Sequence, residues 1–345
     1  MNEQQRLIRD VIHRILKDLC TAEVVDAAES GEWPDKLWLA LTESGLTLAG
    51  IPEQAGGAGG EITDSLLVIR EAARFAAPVP LAEHFLAASL LQESGLIVTQ
   101  PVMTVAIGEF ELKPGSRLIG QSDHVAFARW ADEIILLAVK NGREFVCRVN
   151  VSEIVVEPGV NLAGDPVDTI NVNVELNEGS FVEAPEGASS RLFLMGAALR
   201  GLMMAGALES VLEMSVRYAM DRSQFGRPIS KFQAIQHQLA VLAGESAAST
   251  MAAHSIVTAL ENWVETDIAI GKARIGEAVS VCTDIAHQVH GAMGYTMEHT
   301  LNHRTRRLWS WRDDYGNERY WALQVGQKLL ESDADSLWSC ITNLR

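Results

Sequence analysis

The hydrophobic period changes twice along this 345-residue chain, and those two changes limit it to few architectures. Leu7, Ile8, Val11, Ile12, Ile15, Leu16 and Leu19 recur at helical spacing. Trp33-Pro34 breaks that pattern, Leu37, Leu39, Ala40 and Leu41 resume it, and residues 64–75 and 81–91 carry two further helices. Around Gly95 the period falls to two: Val102, Thr104 and Ala106, then Val125 and Phe127, Ile134 and Leu136, Phe145, Cys147 and Val149, and Ile170, Val172 and Val174. Turn residues at Lys113-Pro-Gly115, Asn141-Gly142, Glu157-Pro-Gly159 and Gly164-Asp-Pro166 separate these strands, and Asn141-Gly142 is the strongest hairpin signal. From Ser189-Ser190 the helical period returns, with Ser190 as N-cap and helices over 192–220, 231–262, 266–290 and 318–338. The pattern predicts an α+β chain: an N-terminal α-helical domain over 1–98, a middle antiparallel β domain over 99–186 and a four-helix bundle over 187–345.

Charge narrows the partners. With 28 basic against 45 acidic residues, the net charge of −17 argues against nucleic acid or an anionic membrane as the main partner. A small anionic ligand is compatible where arginines cluster locally. Cys20, Cys147, Cys282 and Cys340 are scattered without metal-ligand spacing and read as reduced, buried thiols, so no metal is expected. The N-terminus is a poor signal sequence, and Arg200, Glu209, Glu213 and Arg217 interrupt the most apolar stretch, which together predict a cytoplasmic protein. The run Gly56-Gly-Ala-Gly-Gly60 lacks a preceding strand and so is no dinucleotide loop; it marks a place where backbone passes close to something.

Between two of the helices lies Arg222-Ser-Gln-Phe-Gly-Arg-Pro-Ile-Ser-Lys-Phe-Gln-Ala-Ile-Gln236. Gly226 and Pro228 must interrupt the helix, which leaves Arg222, Gln224 and Phe225 together at a turn. A guanidinium fork beside an aromatic ring and an amide suits the pyrophosphate and purine of a dinucleotide. The same residues also suit an ordinary helical turn with an exposed arginine. Ile229 and Phe232 sit on the same turn and fit either core or contact roles. His237, His287 and His290 read as packing or surface residues, Met203, Met204 and Met214 as packing residues, and Trp309 and Trp311 as interface packing.

Two stretches, in this chain order, resemble the acyl-CoA dehydrogenase family of flavoproteins. One is Tyr218-Ala-Met-Asp-Arg-Ser-Gln-Phe-Gly-Arg-Pro-Ile-Ser-Lys-Phe-Gln-Ala-Ile-Gln236, and the other is Gln288-Val-His-Gly-Ala-Met-Gly-Tyr-Thr-Met-Glu298. The turn Pro52-Glu-Gln-Ala-Gly-Gly57 is similar to the family's N-terminal proline-glutamate-glycine turn. The resemblance implies FAD as cofactor and an acyl-CoA as substrate. It places Arg222, Gln224, Phe225, Gln288 and Gly291 at the FAD of a neighbouring protomer, with Asn317 as a further cofactor contact.

The family reaction also needs a carboxylate base, and here the resemblance breaks. The usual glutamate position, beyond the second stretch, is held by Tyr315, followed by Gly316 and Asn317. A second position used by some relatives, just before an arginine at the start of the long helix, is held by Ser190. A neutral tyrosine, with a pKa near ~10, is a poor base at pH 7. Asp314 beside the vacated position is the remaining carboxylate candidate, although Asp313 and Asp314 also suit pairing with Arg306, Arg307 or Arg312. Arg304, Arg306 and Arg307 fit a phosphate contact or a solvated helix face paired with Asp313, Asp314 and Glu318. The segment Val102–Gly108 runs directly into Glu109-Phe-Glu without the glycine-serine-aspartate loop of the family, and Val125-Ala-Phe-Ala128 stands where its tryptophan would lie. The resemblance therefore implies a chain that keeps contacts for a neighbour's FAD and has lost its own flavin wall and base. This fits the shorter subunit of α2β2 acyl-CoA dehydrogenases, an arrangement typical of bacterial degradation of steroid side chains and other bulky acyl-CoAs. The alternative is a homo-oligomeric dehydrogenase using Asp314, or a flavin oxidase or monooxygenase on the same fold.

Overall fold

The N-terminal helices and the alternating strands fold together in one compact unit, and the later helices form another. A computed structural model describes residues 1–98, 101–296 and 298–331. Two compact units form: Met1–Ile69 with Ala77–Phe193, and Arg70–Ala76 with the described residues from Leu194 onward.

The first unit starts with helix α1 (Glu3–Leu19), whose N-terminus is closed by a reciprocal capping box between Asn2 and Gln5. Ile12 and Leu16 are its buried residues, whereas Leu7 and Val11 of the predicted stripe face outward. Helices α2 (Ala22–Glu29) and α3 (Asp35–Glu43) follow, the second starting after Pro34 as the Trp33-Pro34 break requires. Helix α4 (Ile62–Arg74) begins in this unit, and α5 (Leu81–Glu93) is buried on nearly every side. The glycine run makes the predicted close approach: a Cβ on Gly57 would lie 2.1 Å from the Ile51 carbonyl oxygen.

Eight strands make one sheet: β1 (Met103–Ala106), β2 (Glu109–Lys113), β3 (Arg117–Ala126), β4 (Glu133–Lys140), β5 (Arg143–Asn150), β6 (Val155–Glu157), β7 (Val167–Glu175) and β8 (Phe181–Glu183). The order is β6-β7-β3-β2-β4-β5-β8, antiparallel except that β1 runs parallel to β4 and a single parallel bridge joins β2 to β4. Asn141 and Gly142 both adopt left-handed φ, the type I′ geometry that matches strand twist, and Lys140 pairs with Arg143 across them. Phe110, Leu118, Ile134, Leu136, Cys147, Ile170 and Val172 fill the core against the sheet. One strand expectation fails: β3 ends at Ala126, because Phe127 takes a left-handed φ of 57° and opens a short turn over Ala128–Trp130. A fully buried Asp168 (0% exposed) holds that turn, accepting from the Arg129 backbone at 2.8 Å, from Arg129 Nε at 2.9 Å and from the Gly159 N–H at 3.1 Å.

The second unit is helical: α6 (Ala188–Asp221, starting in the first unit), α7 (Gln233–Asn262), α8 (Glu265–His290), α9 (Leu301–Asp313) and α10 (Glu318–Glu331). Helix α6 is long and apolar enough to cross a membrane, but most of its apolar window is buried inside the protein. It starts at Ala188, so Ser190 lies within its first turn and does not serve as the N-cap. Helix α9 was not among the four predicted bundle helices; its Arg- and His-rich sequence hides the helical period. The predicted 318–338 helix is described to Glu331, and its last residues lie outside the described region, as does Cys340. Cys20, Cys147 and Cys282 are buried thiols outside any disulfide among the described residues, and burial pushes the last two up to about 12.

Candidate cofactor site

Helix α6 stops because Gly226 and Pro228 cannot continue it, and the chain doubles back as a two-residue hairpin. Strand residues Ser223–Gln224 pair with Arg227–Pro228, and Phe225 and Gly226 form the turn, both at left-handed φ (50° and 77°). Base of the hairpin is closed by the Ile229 N–H donating to the Arg222 carbonyl at 2.8 Å. Arg222, Gln224 and Phe225 are all exposed, Phe225 at 93%. The Phe225 ring meets Phe232 edge-on, at 6.2 Å between centroids, and Arg227 lies over Phe232 at 4.3 Å. Phe232 and Ile229 are half-buried, so the hairpin supports itself while its tip stands clear.

The second predicted stretch lies close by. Gln288 is exposed on the last turn of α8, and Gly291 ends that helix at φ 58°, its N–H donating to the His287 carbonyl. His290 stacks on Tyr218, four residues before Arg222, with ring centroids 4.5 Å apart. The structure therefore brings both stretches to one place in the second unit. His290 reads from sequence as a packing residue; its place next to the hairpin is a spatial fact with no local signal. His287 stacks on Tyr295 at 4.7 Å and also packs, while His237 is on the exposed face of α7.

These residues fit an anionic, aromatic-bearing cofactor. Arg222 offers its guanidinium to solvent, and Cβ atoms built at Gly226 and Gly291 would meet nothing within 4 Å, so both turns are open to a ligand.

Tyr315 and Asn317 follow α9 in the same unit. Tyr315 and Gly316 both have left-handed φ (54° and 85°), which turns the chain sharply into α10. Gly196 of α6 is required by the Tyr315 ring: a Cβ there would come within 2.3 Å of it. Asn317 caps α10, its Oδ1 accepting from the Tyr320 N–H at 3.1 Å, which leaves the amide nitrogen as what it can offer a cofactor. Asp314 pairs with neither Arg306, Arg307 nor Arg312. Its Oδ2 accepts from Nε of Arg200 at 2.8 Å, and Arg200 is 5% exposed. Arg312 instead bonds Glu318, and that hydrogen bond holds the Glu318 carboxyl below its usual range.

The basic run of α9 is not a solvated face. Arg307 is fully buried and donates to the His303 carbonyl at 3.0 Å, Arg304 donates to Ser210 Oγ at 2.8 Å, and Arg306 to Asn302 Oδ1 at 2.8 Å. Trp311 is buried, while Trp309 is half-buried with Arg312 over its ring.

Sequence inspection missed Lys272. It is 0% exposed, donates to the carbonyls of Arg312 at 2.8 Å and Trp311 at 3.3 Å, and so closes the C-terminal end of α9. Burial lowers it to about 7, against the attraction of Asp314, Glu318 and Asp313. One lysine amid Ile268, Ile275 and Val279 on a helix was the available signal.

In the first unit, β1 passes to β2 through only Ile107 and Gly108. Ser122 Oγ donates to the Ile107 carbonyl at 2.6 Å, and a Cβ on Gly108 would lie 2.4 Å from the Gln121 carbonyl oxygen, so the connection is closed down onto β3.

Two family models match the sequence: the acyl-CoA dehydrogenase N-terminal domain over residues 2–96 and the acyl-CoA dehydrogenase C-terminal domain over residues 187–312. The chain belongs to the acyl-CoA dehydrogenase family. Members of this family are FAD-dependent oxidoreductases. Acyl-CoA dehydrogenase IpdE2 of Mycolicibacterium smegmatis is 28% identical over 314 residues, 87% of this chain and 91% of that protein. Among solved structures, a chain of the ChsE4-ChsE5 complex from Mycobacterium tuberculosis aligns with a TM-score of 0.86 at 22% identity, covering 97% of this chain and 99% of the other. A chain of the Tcur3481-Tcur3483 steroid ACAD aligns at 0.84 and 22% identity, covering 95% and 98%. At those identities the structural likeness speaks for the acyl-CoA dehydrogenase fold alone.

Proposed function

We propose that this chain is the FAD-sharing subunit of a hetero-oligomeric acyl-CoA dehydrogenase, giving cofactor contacts to a sister chain and having no base of its own. Phe225 carries this reading. A phenylalanine held at left-handed φ costs about 1–2 kcal/mol, and leaving its ring in water forgoes about 1.5–3 kcal/mol of burial. At 93% exposure the chain recovers little of either by itself. If the hairpin tip docks on a partner, the burial term is recovered and offsets the backbone cost, with Arg222 bonding a pyrophosphate bidentately and Phe225 forming an apolar wall. Gln224, Gln288 and Gly291 belong to the same contact surface, and the Asn317 amide is a further donor.

Dehydrogenation of an acyl-CoA takes a proton from Cα and a hydride from Cβ. FAD, when bound, supplies the hydride acceptor. The proton needs a carboxylate, and this chain offers a phenol at Tyr315 and a hydroxyl at Ser190 in the two positions where the family places it. Asp314 is engaged by a nearly buried Arg200, whose Nε donates to its Oδ2 and so occupies that oxygen. The sister chain supplies the base in this reading. ChsE4-ChsE5 and Tcur3481-Tcur3483 are two-component neighbours, and the second is a steroid ACAD, so ring-bearing acyl-CoA thioesters are the first substrates to offer.

The competing assignment is a self-sufficient homo-oligomeric enzyme using Asp314, or a flavin oxidase or monooxygenase on this fold. Purification alone and with a coexpressed sister chain separates the two. A colourless or unstable lone chain that yields an active yellow complex on coexpression is expected. A lone chain that binds FAD stoichiometrically and reduces it with an acyl-CoA would overturn the proposal. In the complex, Arg222→Ala is expected to strip FAD; unchanged flavin content would remove the hairpin assignment.

A further inference from the structure

We propose that His290 is a positioning residue for the cofactor: stacked on Tyr218, it locks the Arg222–Phe225 hairpin to the Gln288–Gly291 turn so that both grip as one unit. This rests on the reading above, in which those two stretches contact FAD.

Geometry carries the argument. Tyr218 is in the last turn of α6, and its carbonyl accepts from the Arg222 N–H at 2.8 Å, so the hairpin's first residue hangs from it. His290 is the last residue of α8, two residues after Gln288 and immediately before Gly291. The two rings lie 4.5 Å apart at 30°, an offset stack. His299 closes the group edge-on, 6.0 Å from Tyr218 and 4.8 Å from His290. His290 is 2% exposed, and its Nδ1 donates to the Ala286 carbonyl at 2.7 Å, which fixes the ring plane. A motion of the end of α6, from which the hairpin hangs, relative to the end of α8 must therefore break this stack.

The ring works as a neutral plate. Nδ1 carries the proton given to Ala286, and Nε2 is buried without a partner among the described residues. Burial pushes His290 down to about 4; the Ala286 carbonyl opposes this and the neighbouring His299 and His287 add to it. Arg304 acts on His299 in the same sense, and Asp284 acts on His287 in the other. An uncharged ring stacks on Tyr218 without burying a charge, and phenylalanine would keep that property.

FAD dissociation constants, measured on the native assembly by flavin fluorescence, test the proposal in wild type, His290→Ala, His290→Phe, Arg222→Ala and the His290→Ala/Arg222→Ala double variant. A ring pair contributes about a three- to tenfold change in affinity. His290→Ala is expected to weaken FAD by that factor, His290→Phe to stay within about twofold, and the double variant to be no weaker than Arg222→Ala alone, because both act through one grip. If His290→Ala binds FAD like wild type, or its effect adds in full to that of Arg222→Ala, the proposal is overturned. Should His290→Ala fail to fold by circular dichroism, Tyr218→Leu removes the other ring and is read by the same criteria. An Arg222→Ala assembly that keeps wild-type affinity would instead sink the underlying cofactor assignment.

Discussion

Acid should destabilise the first unit in part through His84, and His84→Asn should lessen that response. His84 on α5 is 1% exposed, its Nδ1 accepts from the Met103 N–H at 3.1 Å, and Trp38 meets its ring edge-on at 5.3 Å. Burial lowers it from 6.5 to about 4. A histidine with a depressed folded pKa binds its proton more readily when unfolded, so stability is full above about pH 6.5 and is lost as the pH falls toward about 4. At about 1.36 kcal/mol per unit, the loss from His84 is about 3 kcal/mol, with a slope near 1.4 kcal/mol per pH unit mid-window. Against a typical ~5–15 kcal/mol of stability, that is a large fraction. His84→Asn keeps an acceptor for the Met103 N–H and does not titrate. Urea melts at pH 7.5, 6, 5.25 and 4.5 are expected to show a variant less stable at pH 7.5 but with a shallower slope between pH 6 and 4.5. Carboxylates titrate in both proteins and cancel in the difference. Equal slopes for wild type and variant would refute the reasoning, because they would mean that His84 charges without cost in the folded state.

Three other outcomes follow from the same geometry. Asp168→Ala strands the Arg129 guanidinium under the 127–131 turn; since Arg129 keeps 22% side-chain exposure, the cost should lie at the low end of roughly 3–5 kcal/mol in chemical denaturation. Gly57→Ala drives a methyl to 2.1 Å from the Ile51 carbonyl oxygen and should cost about 1–3 kcal/mol, read as a lowered urea midpoint. Phe225→Ser should change the stability of the isolated chain by no more than about 0.5 kcal/mol while lowering the flavin content of the assembly. Flavin content equal to wild type would show that the exposed ring has no partner.

Much of the fold was legible because periodicity reports which face is buried. The Asn141-Gly142 hairpin was readable to the residue, since only that turn geometry matches strand twist, and both residues adopt it. The end of β3 was not readable. Phe127 has strong strand propensity, but Arg129 must reach Asp168, 39 residues away along the chain and brought adjacent through β3–β7 pairing, and that buried pair dictates the turn. Helix α9 escaped for a related reason. Its arginines carry no hydrophobic period, yet three of them find partners inside the protein that compensate their burial. The pairing of Asp314 failed likewise: local spacing offered Arg306, Arg307 and Arg312, but Arg200 on α6 reaches it and Arg312 turns to Glu318.

By itself the sequence determined the order of helices and strands, the break at Gly226 and Pro228, and the non-acidic residues Tyr315 and Ser190, because each is a property of residue type or short-range spacing. Tertiary structure alone decided that Phe225 stands exposed, that His290 lies on Tyr218, and that Lys272 is sealed against the end of α9. These depend on which surfaces meet across tens of residues, and burial and charge pairing are set by that meeting and by no local pattern.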